Sequence, residues 1–212
     1  MKKIYIFILF IFIILMPVSI FSAQPENCSK DKAEHSENSC DQSSLPPKGS
    51  RPLAWPLDTV HITGKFGKTK SNKRLYRNGW HSGVDFRAKT PLPIKSSANG
   101  VIAGTGNTDV ACKNASFGKW VLIRHDNGLS TLYAHMSSIK VRKWQKISTG
   151  DIIGYTGNTG YSTAAHLHMS VYKSAGVKIR AMPSKVCLGK TYILPRTAPD
   201  THLDPLAYLP EL

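Results

Sequence analysis

In the run His166-Leu167-His168-Met169-Ser170-Val171-Tyr172, two histidines stand two residues apart. In a strand, residues two apart share a face. His166, His168, Ser170 and Tyr172 then line one side, and Leu167, Met169 and Val171 line the core side. In a helix the two imidazoles would point nearly oppositely, so the pattern predicts a strand. Two imidazoles side by side on a strand are a metal or catalytic arrangement. A second fragment, His81-Ser82-Gly83-Val84-Asp85, puts His and Asp four apart, again on one strand face, with Gly83 leaving room for an ion. In a third, Thr131-Leu132-Tyr133-Ala134-His135, His135 shares a face with Thr131 and Tyr133.

The elements that must position these groups read as β throughout. Short apolar runs are cut every several residues by Gly, Pro, Asn or Asp, and no long helical stripe appears. The clearest hairpin is Trp120 to His125, then Asp126-Asn127-Gly128, then Leu129 to His135. Asn-Gly tolerates the positive φ that tight hairpins need. Ile152 to Tyr155 and Leu167 to Tyr172 are further strands. The segment Lys65 to Arg77 holds six basic residues and little apolar content, and reads as a long loop. His125 precedes the hairpin turn and reads as structural.

Residues 1–23 read as an export signal: Lys2 and Lys3, an unbroken apolar run from Ile4 to Met16, then Pro17 and a small residue at Ala23. Cleavage there is expected to leave no membrane span; the alternative is an uncleaved anchor, since Ile4 to Phe21 is uncharged and nearly long enough to cross a membrane. Residues 24–50 are polar, with Leu45 the one large apolar residue, and read as a linker. One folded domain is expected over residues 51–212. The expected location is exported, either periplasmic or extracellular and wall-associated. Four cysteines fit that compartment as disulfides. Three pairings are possible; Cys28 with Cys40 is local, whereas Cys112 with Cys187 would tie distant parts of the domain together. No CxxC spacing supports a cysteine zinc site.

The chain carries 28 Lys and Arg against 13 Asp and Glu, a net charge of +15. With two Lys in the signal and three in the linker, 23 bases and 8 acids fall in residues 51–212. Such a surface concentrates polyanions. No aromatic-basic interleaving of the kind that stacks bases is present, so nucleic acid is not an expected partner. Export makes an anionic cell wall the better match.

The segments His81–Asp85, Tyr133-Ala134-His135-Met136 and His166-Leu167-His168 resemble the three signatures of the lysostaphin/LytM family of zinc endopeptidases. Further matches are Gly150-Asp151-Ile152-Ile153-Gly154, Gly157 to Thr163 and Asp204 to Leu209, so the resemblance spans about residues 52 to 209. It implies an all-β fold, an antiparallel sheet or sandwich with long loops framing a groove. It implies one Zn²⁺ per chain on His81, Asp85 and His168, with His135 and His166 as catalytic histidines. Two His and one Asp leave a fourth position open for water, as catalytic zinc requires. Residues 51–212 contain a single glutamate, Glu211, so an HExxH-type base is not available.

The implied activity is hydrolysis of peptide cross-links or bridges of bacterial peptidoglycan by a monomer. Cysteine usage favours a Gram-negative periplasm and a D,D-endopeptidase. The alternative is a non-enzymatic regulator that binds peptidoglycan, although members of that kind usually lose ligands. Three positions depart from the family pattern: Ala164-Ala165 where a small residue plus Pro is common, Ser170 for a frequent acid, and Leu92 for a glycine. They bear on substrate fit and remove no ligand.

Overall fold

The computed structural model describes residues 45–47, 49–75, 78–89 and 91–212. The export signal, most of the linker, and the Cys28 and Cys40 pair lie outside the described residues. Strands dominate, and among the described residues no helix reaches seven residues. Among the described residues no helix is long and apolar enough to cross a membrane.

An antiparallel sheet of eight strands forms the scaffold. Its order is Ile62–Gly64, Val84–Arg87, His166–Lys173, Leu129–Met136, Lys119–His125, Gly100–Asn107 and Lys146–Ile147. His202–Leu203 pairs with the far half of His166–Lys173. The predicted hairpin is present, with Gly128 at φ +76° in its turn and the Asn127 side chain accepting from Leu129 N–H at 3.2 Å.

Alternation decides which residues face the core. Leu167, Met169 and Val171 are buried with Val84, Phe86, Ile102, Val121, Ile123 and Tyr133 on one face of the sheet. That face is covered by a small sheet of Pro93–Lys95, Ile152–Tyr155 and Ser138–Ile139, which contributes Ile94 and Ile153. Each such side chain, removed from water, stabilises the fold by about 1.5–3 kcal/mol. The opposite face carries a second cluster around Trp120, Leu132, Tyr172 and Val177. There the hairpin Val177–Pro183 and Thr191–Thr197 packs against the sheet through Val177 and Ile179. The sheet is thus covered on both faces, and only one end of the second face stays open. Cys112 and Cys187 are bonded, with Cα atoms 5.8 Å apart across 75 residues. A loop of that size contributes on the order of 4 kcal/mol in the chain-entropy model.

Two local readings need correction. His81 and Asp85 do not lie on one strand: Trp80–His81 pairs with Gly67–Lys68, and Val84–Arg87 belongs to the main sheet. The chain breaks at Ser82-Gly83, where Gly83 passes against the neighbouring strand. A Cβ there would sit 2.2 Å from the Met169 carbonyl oxygen and 2.9 Å from His168 Cε1. Gly83 is therefore needed for the approach of two backbones. The second correction is that Lys65 to Arg77 is not all loop, since it contains the strand Gly67–Lys68 and the one-turn helix Asn72–Leu75.

Candidate active site

At the open end of the second face, the ladder between Val84–Arg87 and His166–Lys173 sets His168 opposite Asp85 and His166 opposite Arg87. Phe86 and Leu167 enter the core, so all four of these side chains belong to the other face. His81 joins them from the adjacent strand end. His81 Nε2 lies 3.0 Å from His168 Nδ1 and 3.1 Å from Asp85 Oδ1, and His168 Nδ1 lies 2.9 Å from Asp85 Oδ1. All three residues are buried.

The Lys65 carbonyl can only accept, so it fixes the His81 tautomer by taking Nδ1–H at 3.1 Å; His168 Nε2 lies 2.9 Å from Ser170 Oγ, an acceptor for Nε2–H when Nδ1 faces the carboxylate as a ligand. Each ring thereby turns a lone pair toward the same point as the Asp85 carboxylate, a convergence of acceptors that calls for a cation. The separations are close to the edge of a tetrahedron with bonds of about 2.0–2.1 Å, which is about 3.3 Å. The three residues therefore fit a metal, held by two imidazoles and one carboxylate. Burial pushes the Asp85 carboxyl up, but hydrogen bonds with His168 and His81 outweigh it and hold it well below the usual carboxylate range. Burial lowers His168 despite the neighbouring Asp85.

The two remaining histidines flank this trio. His135 and His166 have ring centroids 4.7 Å apart, and His166 Nε2 stands 3.7 Å from Asp85 Oδ1. His135 does not share a face with Thr131 and Tyr133, as alternation predicted. Pairing slips between Lys119↔Met136 and Val121↔Tyr133, so a bulge holds Ala134 and His135, and His135 adopts φ +61°. That bulge re-aims the imidazole away from Tyr133, which is in the core, toward the site. Its backbone N–H donates to Phe117 O at 2.9 Å and its Nδ1–H to Thr159 O at 2.8 Å. Burial, followed by neighbouring His168 and His166, brings its pKa down to about 3. His166 Nδ1–H donates to the Ala164 carbonyl at 2.8 Å, with Ser162 Oγ at 3.1 Å.

A cleft of about 470 Å³ opens over these groups, lined by Thr63, Trp80, Arg87, Phe117, Tyr161 and Thr163 among others. The structure brings together all five predicted residues: His81, Asp85, His135, His166 and His168. Ser170, expected to bear on substrate fit, instead bears on the metal site through His168. His125 is structural, bonded to the Asn99 carbonyl and Thr131 Oγ1. Sequence reasoning missed Thr159, Phe117 and Asp109, which act through backbone atoms or at long range. Only the glycines around Thr159 signalled a tight turn there.

Comparison with known proteins agrees with this geometry. Residues 79–181 match the model of Peptidase family M23. The chain is 36% identical over 113 residues to the DD-carboxypeptidase/endopeptidase Mpg of Neisseria meningitidis serogroup B, covering 53% of this chain and 24% of that protein. It is 34% identical over 133 residues to the peptidoglycan DD-endopeptidase ShyA of Vibrio cholerae, covering 62% of this chain and 29% of that one. The chain thus spans about a quarter of the length of these relatives. The catalytic domain of the antimicrobial peptidase lysostaphin from Staphylococcus simulans shares the fold, with a TM-score of 0.53 and 24% identity over 70% of this chain and 91% of that one.

Proposed function

Since the chain carries a domain of peptidase family M23, we propose that it is a zinc-dependent D,D-endopeptidase that cuts peptide cross-links of peptidoglycan outside the cytoplasm. The observation that carries this reading is the convergence of His81 Nε2, Asp85 Oδ1 and His168 Nδ1 within 3.1 Å, beside two further histidines. The D,D-specificity is supported by the relatives Mpg and ShyA, whose names carry that activity. Export is supported by the Cys112–Cys187 disulfide, which suits an oxidising compartment.

Zinc held by His81, Asp85 and His168 would supply Lewis acidity, polarising the scissile carbonyl and lowering the pKa of water. The protein's own groups do the rest. His135 has its Nδ1–H committed to Thr159, so Nε2 offers a lone pair to the cleft. With a pKa of about 3 it stays neutral at pH 7 and aligns the attacking water without retaining its proton. His166 is nearer to solvent, and its ring beside His135 is placed to carry that proton to the leaving amine. Phe117 stacks on the His168 ring at 5.9 Å and keeps that wall of the site apolar. A wall-binding regulator would need neither histidine turned onto the ligands, which is why the enzymatic reading is preferred.

The test is metal analysis of the purified chain together with digestion of purified sacculi, with fragments identified by mass. One zinc per chain and released D,D-cleaved monomers are expected. Intact sacculi with full zinc would sink the enzymatic reading, and glycine-bridge products would replace the specificity.

A further inference from the structure

The cleft is almost uncharged apart from its metal-binding trio. Among its described lining residues, Arg87 supplies the one Lys or Arg side chain, and Asp85, occupied with the two histidines, the one acid. Arg87 stands two residues from Asp85 on the same strand face, so their Cα atoms are about 6–7 Å apart. It also lies directly opposite His166 in the ladder. Its backbone is anchored by Arg87 N–H donating to the His61 carbonyl at 2.8 Å. The residue is exposed, and among the described residues its guanidinium forms no ion pair. A cation fixed at the root and free at the tip, beside a catalytic site, asks for an anion on the substrate.

We propose that Arg87 is a specificity residue that binds a carboxylate on the carbon bearing the scissile nitrogen. The inference rests on the peptidoglycan-hydrolase reading and names the cross-link that reading leaves open. When the acceptor of a D,D cross-link is a diamino dicarboxylic acid, the carbon attached to the scissile nitrogen carries a free carboxylate. A glycine bridge has no charge there, and neither does a cross-link to a lysine side chain. A guanidinium pairs such a carboxylate with two parallel N–H donors. Arg87 would hold the leaving half of the substrate so that its nitrogen faces His166. The same contact would draw the carbonyl side toward His81, Asp85 and His168.

The test uses the full zinc-loaded chain and two synthetic cross-linked stem-peptide dimers, identical except that the carboxylate beside the scissile nitrogen is free or amidated. The wild type should prefer the free acid in kcat/KM by about 10- to 100-fold. Arg87→Ala should bring the free-acid dimer down to the level of the amidated one and leave the amidated one unchanged. Arg87→Lys should fall between, because an ammonium cannot reproduce the bidentate pair. Zinc content and melting temperature should match the wild type in both variants. A wild type indifferent to amidation overturns the proposal even if Arg87→Ala fails to fold, and so do equal losses on both dimers. Cleavage of pentaglycine with neither dimer touched would instead remove the D,D reading, and Arg87's role with it.

Discussion

The Asp109 carboxylate accepts a hydrogen bond from Gly160 N–H at 3.0 Å, although 51 residues separate the two. Its other oxygen accepts from Asn114 N–H at 2.8 Å. Gly160 sits at φ +72° in a crevice where any Cβ would lie 2.2 Å from Gly118 N, so the turn there is tightly determined. The residue before it, Thr159, gives its carbonyl to His135. Asp109 therefore orients His135 through one peptide unit. Asp109→Ala is expected to cost about 1–3 kcal/mol of stability and to lower kcat about 10-fold, with zinc content and KM little changed. Unchanged kcat in a folded variant would show that the turn holds His135 without Asp109.

The ligand trio and the flanking pair should separate cleanly by mutation. His168→Ala should lose metal and activity together, since it removes one of the three proposed ligands and the nearest imidazole to the Asp85 carboxylate. His135→Ala and His166→Ala should keep zinc and fold while hydrolysis falls by about 10²-fold or more. Metal analysis beside turnover on one substrate distinguishes the two classes. Full zinc in His168→Ala, or normal turnover in either of the others, contradicts the assignment.

The parts of this site that were legible in the sequence are those made by one strand alone. His166 and His168 follow strand alternation, and Leu167, Met169 and Val171 fill the core as that alternation requires. His135 fails the same rule because its direction is set by a bulge, a property of how two strands pair. The break between His81 and Asp85 likewise depends on Gly83 meeting the Met169 backbone, a neighbour 86 residues away in the chain. The hairpin Val177–Pro183 and Thr191–Thr197 was also not read. It buries little beyond Val177 and Pro195, and although Val177 to Ala181 alternates apolar and polar residues, its partner strand Thr191–Thr197 does not and is interrupted by Pro195.

Acid should destabilise the fold, and His125 offers a readout away from the metal ligands. Burial lowers its pKa, only partly offset by the Asn99 and Ala98 carbonyls and by Asp126. The unfolded chain, with an ordinary value near 6.5, then binds more protons than the native one at mildly acid pH. Its contribution to stability is present above about pH 6.5 and is lost as pH falls toward the depressed native value. Urea unfolding of the metal-free chain should give a lower midpoint at pH 5 than at pH 7.5. His125→Gln, able to keep one of the two bonds, should reduce that difference. An unchanged difference would mean that His125 is not among the groups responsible.

The basic segment after Lys65 joins two roles that mutation can pull apart. Lys68, Lys70 and Lys73 are exposed and carry charge that an anionic wall would attract. Asn72, between them, is buried and donates to the Lys65 and Gly67 carbonyls at 2.9 and 2.7 Å. The Lys65 carbonyl also receives His81 Nδ1–H, so Asn72 helps to hold the acceptor that orients the His81 ring. Neutralising Lys68, Lys70 and Lys73 with Gln should weaken binding to sacculi and flatten its salt dependence, with cleavage of a small soluble dimer little changed. Asn72→Ala should lower zinc affinity by about 10-fold or more and impair cleavage of both substrates. If the triple Lys variant lost both substrates equally, its charges would belong to the fold or the site and not to wall recognition.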